Sequence, residues 1–346
     1  MKLLAISDTY IPYEYMRQGL MPLAAHGVEV EVRRWEHASL IELQQANLAI
    51  EQGGPDAVEL PAALLAGVGA FQIVVVQFAP IGQRFLEAAT ALRVISVVRG
   101  GTENVVLELA TARNICVLNT PGRNARAVAE CTLGLMLAEI RNLARSHAGL
   151  RAGHWQRDFP NSAEIPELCG KTVGLVGYGA VGQLVAHYLE AFGSQVVAYD
   201  PYFQGDPAPA QLVTLDELLS RADVVSLHAR LTPESQHLIG TRELARMKRS
   251  AVLVNTARSG LVDEAALIDA LQSRTIMGAA IDVFDREPLS ADHPLLKLDN
   301  VTVTPHLAGS TIDAFRNSPR LTADHLIRLL DGQDRVPIVN GIRPVV

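Results

Sequence analysis

The 346-residue chain has only three cysteines, at 116, 131 and 169, far apart and odd in number. That argues against a disulfide framework and a zinc site, and no metal is expected. Each cysteine has apolar neighbours in sequence, so buried structural thiols are expected. Lysine is scarce, with four residues (2, 171, 248 and 297), and the formal net charge is −7. No basic stretch offsets that charge, which argues against a nucleic-acid partner. No apolar run approaches the roughly 18 residues of a membrane span. The longest, such as Ile73-Val74-Val75-Val76, have strand length. The opening MKLLAISDTY turns polar at Ser7, too early for a secretory core. A cytoplasmic protein with no membrane partner is expected.

Against these absences, 49% of the residues are hydrophobic and the length suits about two domains. Short β-branched runs alternate with helical patterns, the signature of parallel sheets built from βαβ units. Expected strands in the first third are Leu3–Ile6, Val28–Val32, Ala57–Leu60, Ile73–Val76, Val94–Val98 and Ile115–Leu118. A long helical pattern follows, from about Asn124 to Leu150. It is apolar on more than one face, with Val128, Leu133, Leu135, Met136, Leu137, Ile140 and Leu143. Gly153 to Gly170 reads as irregular. Six further strands are expected at Thr172–Val176, Gln195–Tyr199, Asp223–Leu227, Ala251–Asn255, Gly278–Asp282 and Val301–Thr304, then a helix over Ala314–Leu330. Six such strands suit a doubly wound nucleotide-binding sheet.

Gly177-Tyr178-Gly179-Ala180-Val181-Gly182 fits G-x-G-x-x-G directly after the apolar run Val173–Val176 and before a helix. In that context Gly177 permits the tight turn, Gly179 lets the backbone approach a pyrophosphate, and Gly182 lets the helix pack close on the strand. The helix start offers free N–H groups to the phosphates. Asp200 ends the next strand, 18 residues beyond Gly182. Its carboxylate suits the ribose hydroxyls and repels a 2′-phosphate. Pro201, Tyr202 and Phe203 follow it, with no arginine, so NAD is favoured over NADP.

Three more polar groups stand at strand ends: Asn255-Thr256-Ala257-Arg258-Ser259-Gly260, then Asp282-Val283-Phe284 with Glu287-Pro288, then Thr304-Pro305-His306. Ligands of open α/β sheets bind outside the carboxyl ends of the strands, so these groups share a rim with the nucleotide loop. With that loop, these motifs resemble the D-isomer-specific 2-hydroxyacid dehydrogenases, on the phosphoglycerate dehydrogenase-like branch. The resemblance covers about residues 70–315 well and the first 70 loosely.

The resemblance implies two Rossmann/flavodoxin-like doubly wound α/β domains. Residues 1–119 and 308–346 would form the substrate domain and 120–307 an inserted NAD-binding domain. It implies that Arg258 binds the substrate carboxylate and polarises the carbonyl. His306 moves the hydroxyl proton, and Glu287 hydrogen-bonds His306 and favours its charged form. Asp282 holds the nicotinamide end, and His228, Thr256, Ala257 and Ala308 line the same side. The reaction implied is NAD-dependent interconversion of a small (R)-2-hydroxy acid and its 2-oxo acid. A glyoxylate or hydroxypyruvate reductase is the runner-up. An NAD(H)-sensing binding protein without turnover is the rival from another class.

The turn after Val94–Val98 reads Arg99-Gly100-Gly101, where the family gives backbone N–H groups to the substrate carboxylate. Common members carry glycine at the place of Arg99. Arg99 either adds a cation for a second anionic group or points into the protein. A second departure is Arg230, where proline is usual. The chain stops at Val346, so a C-terminal regulatory domain of the kind some relatives carry is not expected. Relatives dimerise through the long helix, and the family suggests that Trp155 reaches towards the partner. A homodimer burying more than about 2,000 Å² is therefore expected.

Overall fold

The computed structural model describes residues 1–162 and 166–344; residues 163–165, inside the stretch expected to be irregular, and 345–346 lie outside the described residues. The chain forms two compact units, Met1–Asn124 with Thr311–Val346, and Ala125–Ser310. The sequence expectation put the boundaries at 119/120 and 307/308, a few residues earlier.

The first unit begins with β1 (Lys2–Ser7), α1 (Tyr13–Leu20), β2 (Glu29–Arg34), α2 (Leu40–Gly53) and α3 (Ala62–Leu65). It continues with β3 (Ile73–Val76), α4 (Gln83–Ala88), β4 (Val94–Val97), α5 (Leu107–Ala112) and β5 (Cys116–Leu118). The second unit holds α6 (Ala125–Ile140), α7 (Leu143–Arg151), β6 (Thr172–Val176), α8 (Ala180–Ala191), β7 (Gln195–Tyr199) and β8 (Gln211–Leu212). Next come α9 (Leu215–Arg221), β9 (Val224–Leu227), α10 (Thr241–Arg246), β10 (Val252–Asn255), α11 (Glu264–Gln272), β11 (Gly278–Ile281) and β12 (Val301–Val303). Finally α12 (Ile312–Leu330) returns to the first unit.

Each unit is one parallel sheet, ordered β2-β1-β3-β4-β5 in the first and β12-β11-β10-β9-β6-β7-β8 in the second. Strands covered on both faces are near-continuously apolar, with Ser96 the one polar residue in the two strands named next. Ile73–Val76 and Val94–Val97 are buried throughout for that reason. The edge strand β2 instead alternates exposed Glu29 and Glu31 with half-buried Val30 and Val32, and its charges blunt the open edge. Two apolar layers sandwich each sheet. In the first unit α1 and α12 cover one face through Met16, Leu20, Leu326 and Leu329. In the second α6 and α8 cover one face and α9, α10 and α11 the other.

The structure corrects four expectations. Ala57–Leu60 is not a strand: Pro55 starts a 3₁₀ turn there, Pro61 follows, and Leu60 buries its side chain in the core. A short edge strand, β8, was not foreseen. Cys116 is buried, but Cys131 is half-buried and Cys169 exposed. The long helix is broken. Asn142 adopts a left-handed conformation (φ 59°), which asparagine tolerates better than most residues, and separates α6 from α7.

A polar knot holds that break. Glu139, only 3% exposed, accepts from Arg145 Nη2 at 2.6 and 2.7 Å and from Thr302 Oγ1 at 2.7 Å. Arg145 also donates to Asn142 Oδ1 at 2.5 Å, and Asn142 donates to Asn161 at 2.7 Å. Removing one member of a buried ion pair strands the other charge, at a cost of about 3–5 kcal/mol. Arg145→Met is therefore expected to destabilise the second unit by about that much. Adding Glu139→Met should recover most of it. Calorimetry on the two variants checks this, and a single variant within about 0.5 kcal/mol of wild type would contradict the knot.

Candidate active site

At the carboxyl end of β6 the chain turns through Gly177, whose φ is +96°. A Cβ there would lie 2.4 Å from the Ala229 nitrogen after β9, so both the backbone angle and the crowding require glycine. A Cβ on Gly182 would lie 2.4 Å from the Gly177 carbonyl, which lets α8 start tight against β6. Gly179 differs: nothing lies within 4 Å of its Cβ position. The helix behind it, beginning at Ala180 and Val181, has no side-chain cap. An open glycine before an uncapped helix of 12 residues fits a phosphate drawn to free N–H groups and the positive helix end.

Tyr178 is turned inward, with its hydroxyl donating to the Pro207 carbonyl at 2.7 Å and its ring edge-on to Phe203. Only its backbone faces the loop. The Tyr178 N–H donates to Asp200 Oδ2 at 2.8 Å, and the Tyr202 N–H donates to Oδ1 at 3.0 Å. Asp200 thus sits at the end of β7 beside the glycine loop, oriented by two backbone groups.

The strand order lines up the remaining second-unit candidates along the same edge. His228 follows β9. Its Nε2 lies 3.0 Å from Ser226 Oγ, and burial pushes its pKa down to about 4, so it is neutral at physiological pH. After β10, Asn255 Oδ1 accepts from the Ala257 N–H at 3.0 Å and its Nδ2 donates to the Arg258 carbonyl at 2.9 Å. This side chain shapes the turn that carries buried Thr256, half-buried Ala257 and exposed Arg258. Thr256 also shares a 2.8 Å hydroxyl contact with Thr132 of α6.

Asp282 follows β11 and is fully buried. Oδ1 accepts from Thr304 Oγ1 at 2.5 Å and the Leu307 N–H at 3.0 Å, and Oδ2 accepts from the Ala308 N–H at 2.9 Å. Both oxygens thus pin the turn after β12, and the Ala308 N–H is engaged there too. His306 stands in this turn at φ +50°, a conformation uncommon for a residue with a side chain. Its Nδ1 donates to Glu287 Oε2 at 2.8 Å, and Glu287 Oε1 accepts from the Phe284 N–H at 3.0 Å. The two side chains are 49% and 37% exposed, leaving imidazole Nε2 available on an open ring.

The other candidates lie in the first unit, at the carboxyl end of β4. Arg99 is 11% exposed. Its Nη2 donates to Glu103 at 2.8 Å and its Nη1 to Glu51 at 3.3 Å, and the guanidinium stacks over Phe78. Gly100 is open at its Cβ position and its carbonyl accepts from Asn119 at 2.6 Å. Gly101 lies against the Glu103 carboxylate. Asn255 and Thr304 stand within the sequence motifs without a role of their own, as Asn119 does in its turn, and the structure gives each one. For Asn255 alone a local signal is readable: an asparagine two residues before a turn N–H, an Asx-turn pattern.

The sequence profile of the D-isomer-specific 2-hydroxyacid dehydrogenase NAD-binding domain matches residues 133–308, which hold the glycine loop and the His306–Glu287 pair. The chain belongs to the D-isomer-specific 2-hydroxyacid dehydrogenase family. It is 41% identical over 259 residues to a D-3-phosphoglycerate dehydrogenase of Methanocaldococcus jannaschii, covering 74% of this chain and 49% of that protein. It is 41% identical over 265 residues to a glyoxylate reductase of Thermofilum pendens, covering 75% and 78%. The chain spans about half the length of the phosphoglycerate dehydrogenases it matches. A solved D-isomer-specific 2-hydroxyacid dehydrogenase of Lactobacillus delbrueckii, in its NAD-complexed form, superposes with a TM-score of 0.76 at 26% identity, covering 98% of this chain and all of that one.

The glycines of this NAD-binding domain separate folding from binding. Gly182→Ala is expected to lower the melting temperature, because its Cβ meets backbone. Gly179→Ala should leave melting unchanged and weaken NADH binding at least tenfold. Calorimetry and NADH fluorescence titration read the two effects, and a Gly179→Ala protein with wild-type affinity would contradict the phosphate cradle.

Proposed function

We propose that the protein is an NAD-dependent D-2-hydroxyacid dehydrogenase that interconverts a small (R)-2-hydroxy acid and its 2-oxo acid. The observation that carries this reading is the 2.8 Å His306–Glu287 pair, on the same sheet edge as Arg258 and the glycine loop. NAD, when bound at the glycine loop, would supply the hydride acceptor for oxidation and, as NADH, the donor for reduction. Arg258 offers its guanidinium donor fork to the substrate carboxylate and carbonyl. His306 takes the hydroxyl proton at Nε2 in oxidation and returns it in reduction. Glu287 orients the ring through Nδ1 and stabilises its positive charge. In the first unit, the Gly100–Gly101 turn is the candidate for receiving a carboxylate on its backbone N–H groups. Asp282 acts on the cofactor side through the turn it holds, and His228, Thr256, Ala257 and Ala308 line that side. The Asp200 carboxylate keeps lone pairs for the ribose hydroxyls and disfavours NADP.

Relatives named D-3-phosphoglycerate dehydrogenase, glyoxylate reductase and hydroxypyruvate reductase support small 2-oxo acids as the substrate class. Among the described residues no helix is long and apolar enough to cross a membrane. Three free thiols suit a reducing compartment, and we place the protein in the cytoplasm.

We also propose a homodimer. Leu143 and Leu150 on α7 are each 55% exposed, and Trp155 just beyond is 81% exposed. Apolar side chains presented this way in one protomer suit a second copy across a two-fold axis. Light scattering at micromolar concentration should give about twice the 37.3 kDa chain mass. A monomer there would rule the dimer out.

His306→Asn is expected to lower kcat at least a hundredfold with NADH affinity retained, in line with the usual size of general acid–base catalysis. Glu287→Gln keeps the Phe284 contact but removes the charge, and should cost roughly tenfold or more in kcat. Asp200→Ala should relax the cofactor preference towards NADP. Steady-state kinetics with both cofactors measure all three, and a His306→Asn enzyme within tenfold of wild type would remove His306 from its role.

A further inference from the structure

In the first unit, five side chains form a continuous chain at the carboxyl edge of the sheet. Arg99 stacks on Phe78 (5.1 Å), Phe78 meets Tyr10 (5.8 Å), Tyr10 meets Phe315 (4.9 Å), and Arg123 stacks on Phe315 (5.4 Å). The loops bearing the two arginines are tied together. The Thr120 N–H donates to the Arg99 carbonyl at 2.9 Å, and Asn119 Nδ2 donates to the Gly100 carbonyl at 2.6 Å. Buried Asp8 anchors the frame by accepting from the Tyr10 and Ile11 N–H groups at 2.9 Å.

The two guanidinium groups are not equivalent. Arg99 is occupied by Glu51 and Glu103. Arg123 is half-buried, and among the described residues no carboxylate lies within 4.0 Å of it. Its one hydrogen bond there is a long 3.4 Å contact to Ser318 Oγ. Burial, and then the charge of Arg99, lower its pKa to about 10, with Asp8 opposing at a distance; it is still cationic at neutral pH. A half-buried cation held on an aromatic ring, next to another cation and with only the distant Asp8 opposing it, is costly to keep unless an anion completes it.

We propose that Arg123, and not Arg99, is the specificity-determining residue for a second anionic group on the substrate, a carboxylate or a phosphate ester distal to the 2-oxo acid head. Arg99 is a positioning residue that fixes the Gly100–Gly101 turn and the Phe78 end of the frame. This rests on the reading of the chain as a 2-oxo acid reductase.

The test compares isosteric substrates with NADH. 2-Oxoglutarate carries a distal carboxylate where 5-methyl-2-oxohexanoate carries two methyl groups, and 3-phosphooxy-2-oxopropanoate supplies the phosphate alternative. The wild type is expected to favour one of the two charged substrates over the isostere at least tenfold in kcat/KM. Arg123→Met should erase that ratio, chiefly through KM for the charged substrate. Arg99→Met should lower both rates together and preserve the ratio within about threefold. Arg123→Lys, which keeps a point charge and lacks the fork, should retain a reduced preference, and serves if Arg123→Met does not fold. The proposal is overturned by a wild type without charge preference, by Arg123→Met or Arg123→Lys with an unchanged ratio, or by a ratio that is lost in Arg99→Met and kept in Arg123→Met. If no 2-oxo acid is reduced, the functional reading fails by itself. Thermal shifts then decide the anion site: stabilisation by 2-oxoglutarate but not by its isostere, lost in Arg123→Met, supports it, and equal shifts overturn it.

Discussion

The carboxylate of Asp282 is fully buried and accepts from Thr304, Leu307 and Ala308 at once. A buried carboxylate is costly unless its lone pairs are met, and here three donors meet them. The bonds run from the end of β11 to the turn after β12, so they fix where that turn leaves the sheet. His306 occupies the turn in a left-handed backbone conformation that only a well-determined surrounding maintains. Glu287 comes from the loop following Asp282, and its contact with the Phe284 N–H aims it at His306. The proposed acid–base pair therefore depends on one carboxylate that touches neither partner directly.

The same division runs along the whole edge. Asp282, Asn255 and Thr256 are buried and bonded within the protein, while Arg258, Glu287 and His306 are exposed or half-exposed. The side chains proposed to act on substrate lie open, and those beneath them spend their donors and acceptors within the protein, on backbone and on neighbouring hydroxyls. Gly177 and Gly182 belong to the buried set and Gly179 to the open one, although one motif contains all three.

Much of this was legible in the sequence because it is local. Runs such as Ile73–Val76 have no stable place except the middle of a parallel sheet, and Gly177–Gly182 carries its geometry within six residues. What escaped is long-range or conditional. The strand expected at Ala57–Leu60 has apolar residues but prolines on both sides, so backbone geometry overrode composition. The break at Asn142 depends on Glu139, Arg145 and Asn161 meeting around it. The partners of Arg99 include Glu51, 48 positions away, and no pattern in the sequence joins them. Arg123 reads as an ordinary loop residue until Phe315, from the far end of the chain, is found beneath it.

Stereochemistry tests the central claim most directly, because the family's defining property is the hand of the alcohol it oxidises. Matched (R)- and (S)-2-hydroxy acids, offered with NAD across a panel of chain lengths and end groups, are followed by NADH absorbance. The account predicts NADH formation from (R) isomers only, at a rate that depends on the substrate side chain. Oxidation of (S) isomers, or NADH binding with no turnover of any member of the panel, would contradict it.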